Sequence, residues 1–197
     1  MDSHTLYRSK APFRLGIAGG GTDVSPYSDL YGGAILNVTI DRFAYATLRL
    51  TDDGKIRFIH VNDNLVQEYD AVPFLEPDGP LTLQCGIYNR IVRQFNDGVP
   101  FSFELTTQMD VPSGSGLGTS STLVVAILGA FVEARNLPLG KYDIARFRER
   151  EGAKYLPRKF KGGAPWRGVF NECVDFREGM KPLLVRNDGR DKGEYQR

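Results

Sequence analysis

The 197-residue sequence predicts an α+β fold, in which helices pack on a largely antiparallel sheet. Three observations predict it. Segments rich in β-branched and aromatic residues crowd the first third of the chain. Two segments of helical character, Leu81–Phe95 and Ser121–Asn136, follow them. One alternating segment, Phe101–Met109, stands between the two helices, and no internal repeat or long linker interrupts the series.

Taken in order, Lys10–Ala18 (KAPFRLGIA) alternates in part and runs into Gly19-Gly20-Gly21, a strand ending in a glycine loop. Gly32–Asp41 and Phe43–Thr51 read as two further strands. Thr51–Gly54 (TDDG) is a turn, and Lys55–Val61 is the return strand. Leu83, Ile87, Ile91 and Phe95, with Tyr88 and Val92 beside them, form one helical stripe. Ser121–Asn136 is apolar on nearly every side, which predicts a buried helix. Lys141–Glu151 starts another helix, whose clear part ends at Gly152.

Composition narrows the function classes. With 41% hydrophobic and 25% charged residues, the chain can form one cored domain, or one domain plus an appendage. A net charge of +1 gives no signal for nucleic acid or an anionic membrane. The basic skew of Arg146–Arg167, with only Glu149 and Glu151 acidic, has no accompanying nucleic-acid motif. No apolar run reaches membrane-spanning length, and MDSHTLYRSK lacks a signal-peptide core. Cys85 and Cys173 read as thiols in a reducing compartment, so the expected location is the cytoplasm.

Two glycine clusters carry the chemistry. The first, DVPSGSGLGTSST (Asp110–Thr122), places Gly114, Gly116 and Gly118 at alternate positions ahead of the apolar helix. Without Cβ atoms the backbone N–H groups can turn toward an anion, and the helix start adds free N–H groups and its positive dipole end. Thr119, Ser120, Ser121 and Thr122 add hydroxyls suited to phosphate oxygens or Mg²⁺. The lysine of a Walker A loop is absent, so this is a phosphate loop of another design. An N-capped helix after a flexible turn is the alternative.

The second cluster, GIAGGGTD (Gly16–Asp23), fails as a dinucleotide fingerprint, because Gly19 and Gly21 would require glycine where Val24 stands. Pro26 and Gly32-Gly33 also break the sequence where a phosphate-binding helix would run. Thr22 and Asp23 look instead like polar groups offered to a small hydroxylated ligand, Asp23 accepting from vicinal sugar hydroxyls. Asp23 as a turn cap is the alternative.

RSKAPFRLGIAGGGTDVSPYSDLYGGAILNVTIDRFAYATL and DVPSGSGLGTSSTLVVAILGAF together resemble the GHMP kinase superfamily, most of all its D-glycero-D-manno-heptose 7-phosphate kinase group. The likeness runs over about residues 8–151. It implies ATP- and Mg²⁺-dependent phosphorylation of the anomeric hydroxyl of a heptose phosphate, in a route to surface polysaccharide. Fucose and galactose are alternative substrates within the family. It implies an N-terminal domain like ribosomal protein S5 domain 2, here residues 1–151. A C-terminal domain, expected to be missing, would normally follow; residues 152–197 are expected to be a divergent or truncated tail, with the break at about Gly152–Arg167, after which Gly168–Val185 again resembles the family's following strand pair. By this resemblance Pro112, Gly114, Ser115, Gly116, Leu117, Gly118, Thr119, Ser120 and Ser121 hold the nucleotide. Arg14, Gly20, Gly21, Thr22 and Asp23 face the sugar. Ser120, Ser121 and Glu149, with Glu151 as second choice, are the Mg²⁺ candidates, and Asp23 and Glu149 the catalytic ones. The family's aspartate base, expected soon after a glycine pair, is not found: Gly162-Gly163 is followed by Ala164-Pro165-Trp166, and the next aspartate is Asp175. A catalytically inactive ATP-binding fragment is therefore the competing expectation.

Overall fold

The computed structural model describes residues 5–22, 26–140 and 143–144, together with the backbone of 183–187. In chain order the elements are β1 (Leu6–Ala18), a short helix α1 (Tyr27–Tyr31), β2 (Gly33–Leu50), β3 (Lys55–His60) and β4 (Leu65–Asp70). They continue with α2 (Thr82–Phe95), β5 (Phe103–Met109), α3 (Thr119–Arg135) and β6 (Leu183–Asn187). The strands form one sheet in the order β1-β2-β5-β3-β4. β6 pairs with Gly33–Asn37 of β2, beyond the point where β5 ends. Every described pairing is antiparallel except β3 with β5, so the sheet is mostly antiparallel, as expected.

The two strands expected at Gly32–Asp41 and Phe43–Thr51 are one strand of 18 residues, β2. The apparent break at Asp41–Arg42 is a register shift. Pro12 pairs with Phe43 and Arg14 with Thr39, so Ile40, Asp41 and Arg42 face Phe13 alone. Pro12 has no N–H to give the ladder, which favours an irregularity beside it. β4 and α1 were not anticipated. β4 reads LVQEYD, alternating in exposure, and lies at the sheet edge with charges on its outer face. Of the helix expected at Lys141–Glu151, only 143–144 are described, and they are helical.

The helices cover one face. α3 packs on β1 and β2, and its buried residues run from Ser121 to Ala134 around most of its circumference. Gly129 lets it approach: a Cβ there would overlap the Ser9 hydroxyl. The helix ends at Asn136, which adopts a left-handed conformation at φ 47° and donates its N–H to the Val132 carbonyl. α2 buries Cys85, Ile87, Tyr88, Ile91 and Val92. An aromatic cluster ties these layers together. Phe103 of β5 is fully buried, with ring centroids 5.7 Å from Phe58 and Tyr88 and 5.1 Å from Phe131 of α3. The other face carries ion pairs such as Arg57–Asp53 at 2.6 Å and Lys55–Asp70 at 2.7 Å. These are exposed and contribute little to stability.

Candidate functional site

β1 and β5 both run antiparallel to β2, so they point the same way. The glycine loops that follow them therefore leave in the same direction, the first from beside Leu36 and the second from beside Ala44 of β2. Each is hydrogen-bonded back to β2, the first at Ala34 and the second at Phe43. Two motifs nearly a hundred residues apart in sequence are thus hung from one strand.

The root of the second loop is held firmly. Asp110 donates its N–H to the Phe43 carbonyl at 2.9 Å, and its carboxylate accepts the Phe43 N–H at 2.9 Å. The same carboxylate faces the Tyr45 hydroxyl at 3.4 Å. Desolvation, then the nearby Asp110 charge, pushes the Tyr45 phenol up. On the other side the Asn62 amide bonds both backbone groups of Met109, each at 2.8 Å.

Beyond that root the loop is open. Pro112, Ser113, Gly114, Ser115 and Gly116 are exposed, and one turn bond, from Ser115 N–H to the Pro112 carbonyl, closes its first half. Gly114, Gly116 and Gly118 sit at φ 81°, 79° and 70°. Positive φ at every second position allows a backbone nest, in which successive N–H groups converge on an anion. A Cβ on Gly114 or Gly116 would meet no protein atom within 4 Å, so both glycines border open space. Among the described residues, the N–H groups of Leu117, Thr119 and Ser120 have no backbone acceptor.

Gly118 is also the N-cap of α3, and no side chain caps that end. No acidic residue lies in the first turn. A 17-residue helix thus presents an uncompensated positive end at the loop. The hydroxyls divide. Thr119 and Ser120 are half-buried, while Ser121 and Thr122 are fully buried. Thr122 donates to the Gly118 carbonyl at 3.2 Å, and the Ser121 Oγ has no hydrogen-bond partner. The chemistry this end can perform is anion binding.

At the first loop, Gly19 is at φ 77° and a Cβ there would overlap the Ala34 carbonyl oxygen, so only glycine fits. Gly21, at φ 94°, and Gly20 face open space. The Thr22 hydroxyl is taken up within the loop: it donates to the Gly19 carbonyl at 2.7 Å and accepts the Ala34 N–H at 3.1 Å. Arg14 donates from Nη1 to Asn37 Oδ1 at 2.7 Å, and its buried Nε has no partner. Asp23, Glu149 and Glu151 lie outside the described residues. Among the described residues no group of three or more His, Cys, Asp or Glu could hold a metal ion. Asn62, Asp110 and Phe43 are the site-building residues that sequence reasoning passed over. Asp110 could have been suspected as the first residue of the motif, but nothing local marks the other two.

A helix-backed, mostly antiparallel sheet with an uncapped glycine loop feeding a buried helix is a frame for holding an anion at the helix start. Residues 83–164 match the family model of the GHMP kinases N terminal domain. A D-glycero-alpha-D-manno-heptose 7-phosphate kinase from Campylobacter jejuni subsp. jejuni serotype O:2 is 52% identical over 189 residues, a span covering 91% of this chain and 55% of that protein. The crystal structure of a D-glycero-D-manno-heptose 1-phosphate kinase from Bacteroides thetaiotaomicron matches with a TM-score of 0.77 and 41% identity. That match covers 93% of this chain and 59% of the other. A mevalonate kinase at 13% identity and a TM-score of 0.67 shares the fold. The chain spans about half the length (55%) of the Campylobacter relative. No helix among the described residues is long and apolar enough to cross a membrane.

Proposed function

We propose that this chain carries the ATP-binding half of a sugar kinase that phosphorylates the anomeric hydroxyl of a heptose phosphate, D-glycero-D-manno-heptose 7-phosphate giving the 1,7-bisphosphate. The observation that carries the reading is the nest of three left-handed glycines opening onto the uncapped start of α3. Backbone N–H groups of Gly114–Ser120 would hold the triphosphate, with Pro112 shaping the turn. When bound, Mg²⁺ would neutralise charge between the phosphates. Ser120, the more accessible of the two serines, is better placed than Ser121 to reach it, with Glu149 as the acidic candidate. Arg14, with one guanidinium nitrogen still unsatisfied, suits a substrate phosphate, and Asp23 suits the sugar hydroxyls. Thr22 serves this site by holding the loop's shape. The nucleotide-binding domain in this reading is residues 1–151, and β6 adds a strand to its sheet from the 152–197 segment. The work is done in the cytoplasm, on heptose destined for surface polysaccharide such as lipopolysaccharide.

The names of the two heptose kinases differ in where the substrate phosphate lies, at position 7 or position 1. The test therefore uses both compounds. Calorimetry should show Mg²⁺-dependent ATP binding, and coupled ADP release should rise with heptose 7-phosphate and not with heptose 1-phosphate, fucose or galactose. Absence of ATP binding would sink the reading. The competing reading is an ATP-binding module without turnover. Binding of Mg²⁺–ATP with no sugar-dependent ADP release would select it.

A further inference from the structure

We propose that Asn62 is a positioning residue that fixes the root of the phosphate loop, an inference that rests on the nucleotide-binding reading above. The parallel ladder between β3 and β5 ends at His60–Thr107, with one further bond from the Val61 N–H to the Thr107 carbonyl at 2.9 Å. Beyond it the chain turns away through Val61–Asn64, closed by the Asn64 N–H on the Val61 carbonyl at 3.2 Å, with Asn64 left-handed at φ 51°. β5 continues to Met109, which on this side has run out of backbone to pair with.

The Asn62 side chain takes the place of the missing strand. Its Nδ2 donates to the Met109 carbonyl at 2.8 Å, and its Oδ1 accepts the Met109 N–H at 2.8 Å. A primary amide carries a donor and an acceptor side by side, which is what one peptide's N–H and C=O require. On the opposite edge Asp110 is held by Phe43 through two bonds of 2.9 Å. The last two residues before the loop are thus clamped from both neighbouring strands. Downstream, the exposed stretch has a single described backbone bond of its own before α3 begins. The direction in which its N–H groups point is set at its ends, and Asn62 governs one of them.

The same two-bond bridge occurs elsewhere and supplies a control. Asn89 of α2 bonds the Leu75 N–H at 2.8 Å and the Leu75 carbonyl at 2.7 Å, in the segment between β4 and α2. Asn62→Ala and Asn89→Ala each remove one such bridge, and only the first touches the phosphate loop. In the full chain, Asn62→Ala should weaken Mg²⁺–ADP binding about tenfold or more, since small misplacements of binding groups are costly. It should also speed amide exchange across Asp110–Ser120. Asn62→Asp, which keeps the acceptor and loses the donor, should fall between. Asn89→Ala should lower the melting temperature and leave ADP affinity within about twofold of wild type. An Asn62→Ala chain that binds Mg²⁺–ADP as tightly as wild type overturns the proposal, whatever its exchange rates. If the wild type itself binds no nucleotide, the kinase reading falls; unchanged loop exchange in Asn62→Ala then overturns the anchoring separately.

Discussion

Replacing Gly116 with alanine adds a single methyl group to the middle of the glycine loop. Gly116 is at φ 79°, and the new Cβ would meet no protein atom within 4 Å. Steric overlap with the fold therefore contributes nothing, and the cost is the left-handed backbone, about 1–2 kcal/mol for an L-residue. The loop has two ways to respond. It can bear the strain and leave a methyl in the space where a phosphate would sit. It can instead relax Gly116 and swing the N–H groups of Leu117 and Gly118 out of convergence. Either response weakens an anion held by those groups. A penalty of 1–2 kcal/mol corresponds to roughly a 5–30-fold loss, and more where the methyl itself obstructs. Gly54 supplies the matched control: it lies at φ 72° in the turn before β3, and a Cβ there also meets nothing within 4 Å. Urea unfolding should show both Gly116→Ala and Gly54→Ala losing about 1–2 kcal/mol. Calorimetry with Mg²⁺–ADP should show the affinity loss in Gly116→Ala alone. Equal ADP affinity in all three proteins would refute the assignment of this loop to phosphate.

Three further predictions concern the frame around the site. Phe103→Ala, emptying a fully buried position among Phe58, Tyr88 and Phe131, should cost about 3–5 kcal/mol in urea unfolding. A loss under about 1 kcal/mol would mean that the aromatic cluster is not packed as described. Thr22→Val removes the hydroxyl that joins Gly19 to Ala34 and should destabilise by about 1–3 kcal/mol, whereas Thr22→Ser should retain most of that stability. Hydrogen bonds, first from Arg57 and then from the Lys55 N–H, hold the Asp53 carboxyl at about 2 against an ordinary 3.8. Because the folded value is the lower one, what these bonds contribute is present above pH 3.8 and fades as pH falls through about 2. Carboxyl NMR should find that midpoint in the wild type and a higher one, toward 3.8, in Arg57→Gln.

The parts of this fold that were legible in the sequence are those set by local chemistry. α3 announces itself because a buried helix must be apolar on nearly every side, and β5 because its alternation matches a strand with one buried face. Both glycine loops were visible because left-handed backbone selects glycine, and Gly114, Gly116 and Gly118 are all left-handed. What stayed hidden depends on neighbours distant in sequence. β2 looked like two strands because Asp41–Arg42 is polar, yet the chain continues through them against the irregularity at Phe13. Ser120 and Ser121 are alike in sequence, but α3 turns one toward the surface and buries the other completely. Thr22 looked like a ligand-facing hydroxyl, since nothing before it reveals that Ala34 will lie beside it. Asn62 is the extreme case. In the sequence it is a turn asparagine after a strand, a position asparagine favours for local reasons. Its partner is Met109, 47 residues away, and the need it fills exists only because β3 stops short of the end of β5. A glycine loop can thus be recognised from its own residues, while the groups that hold it in place are found only once the sheet's register is known.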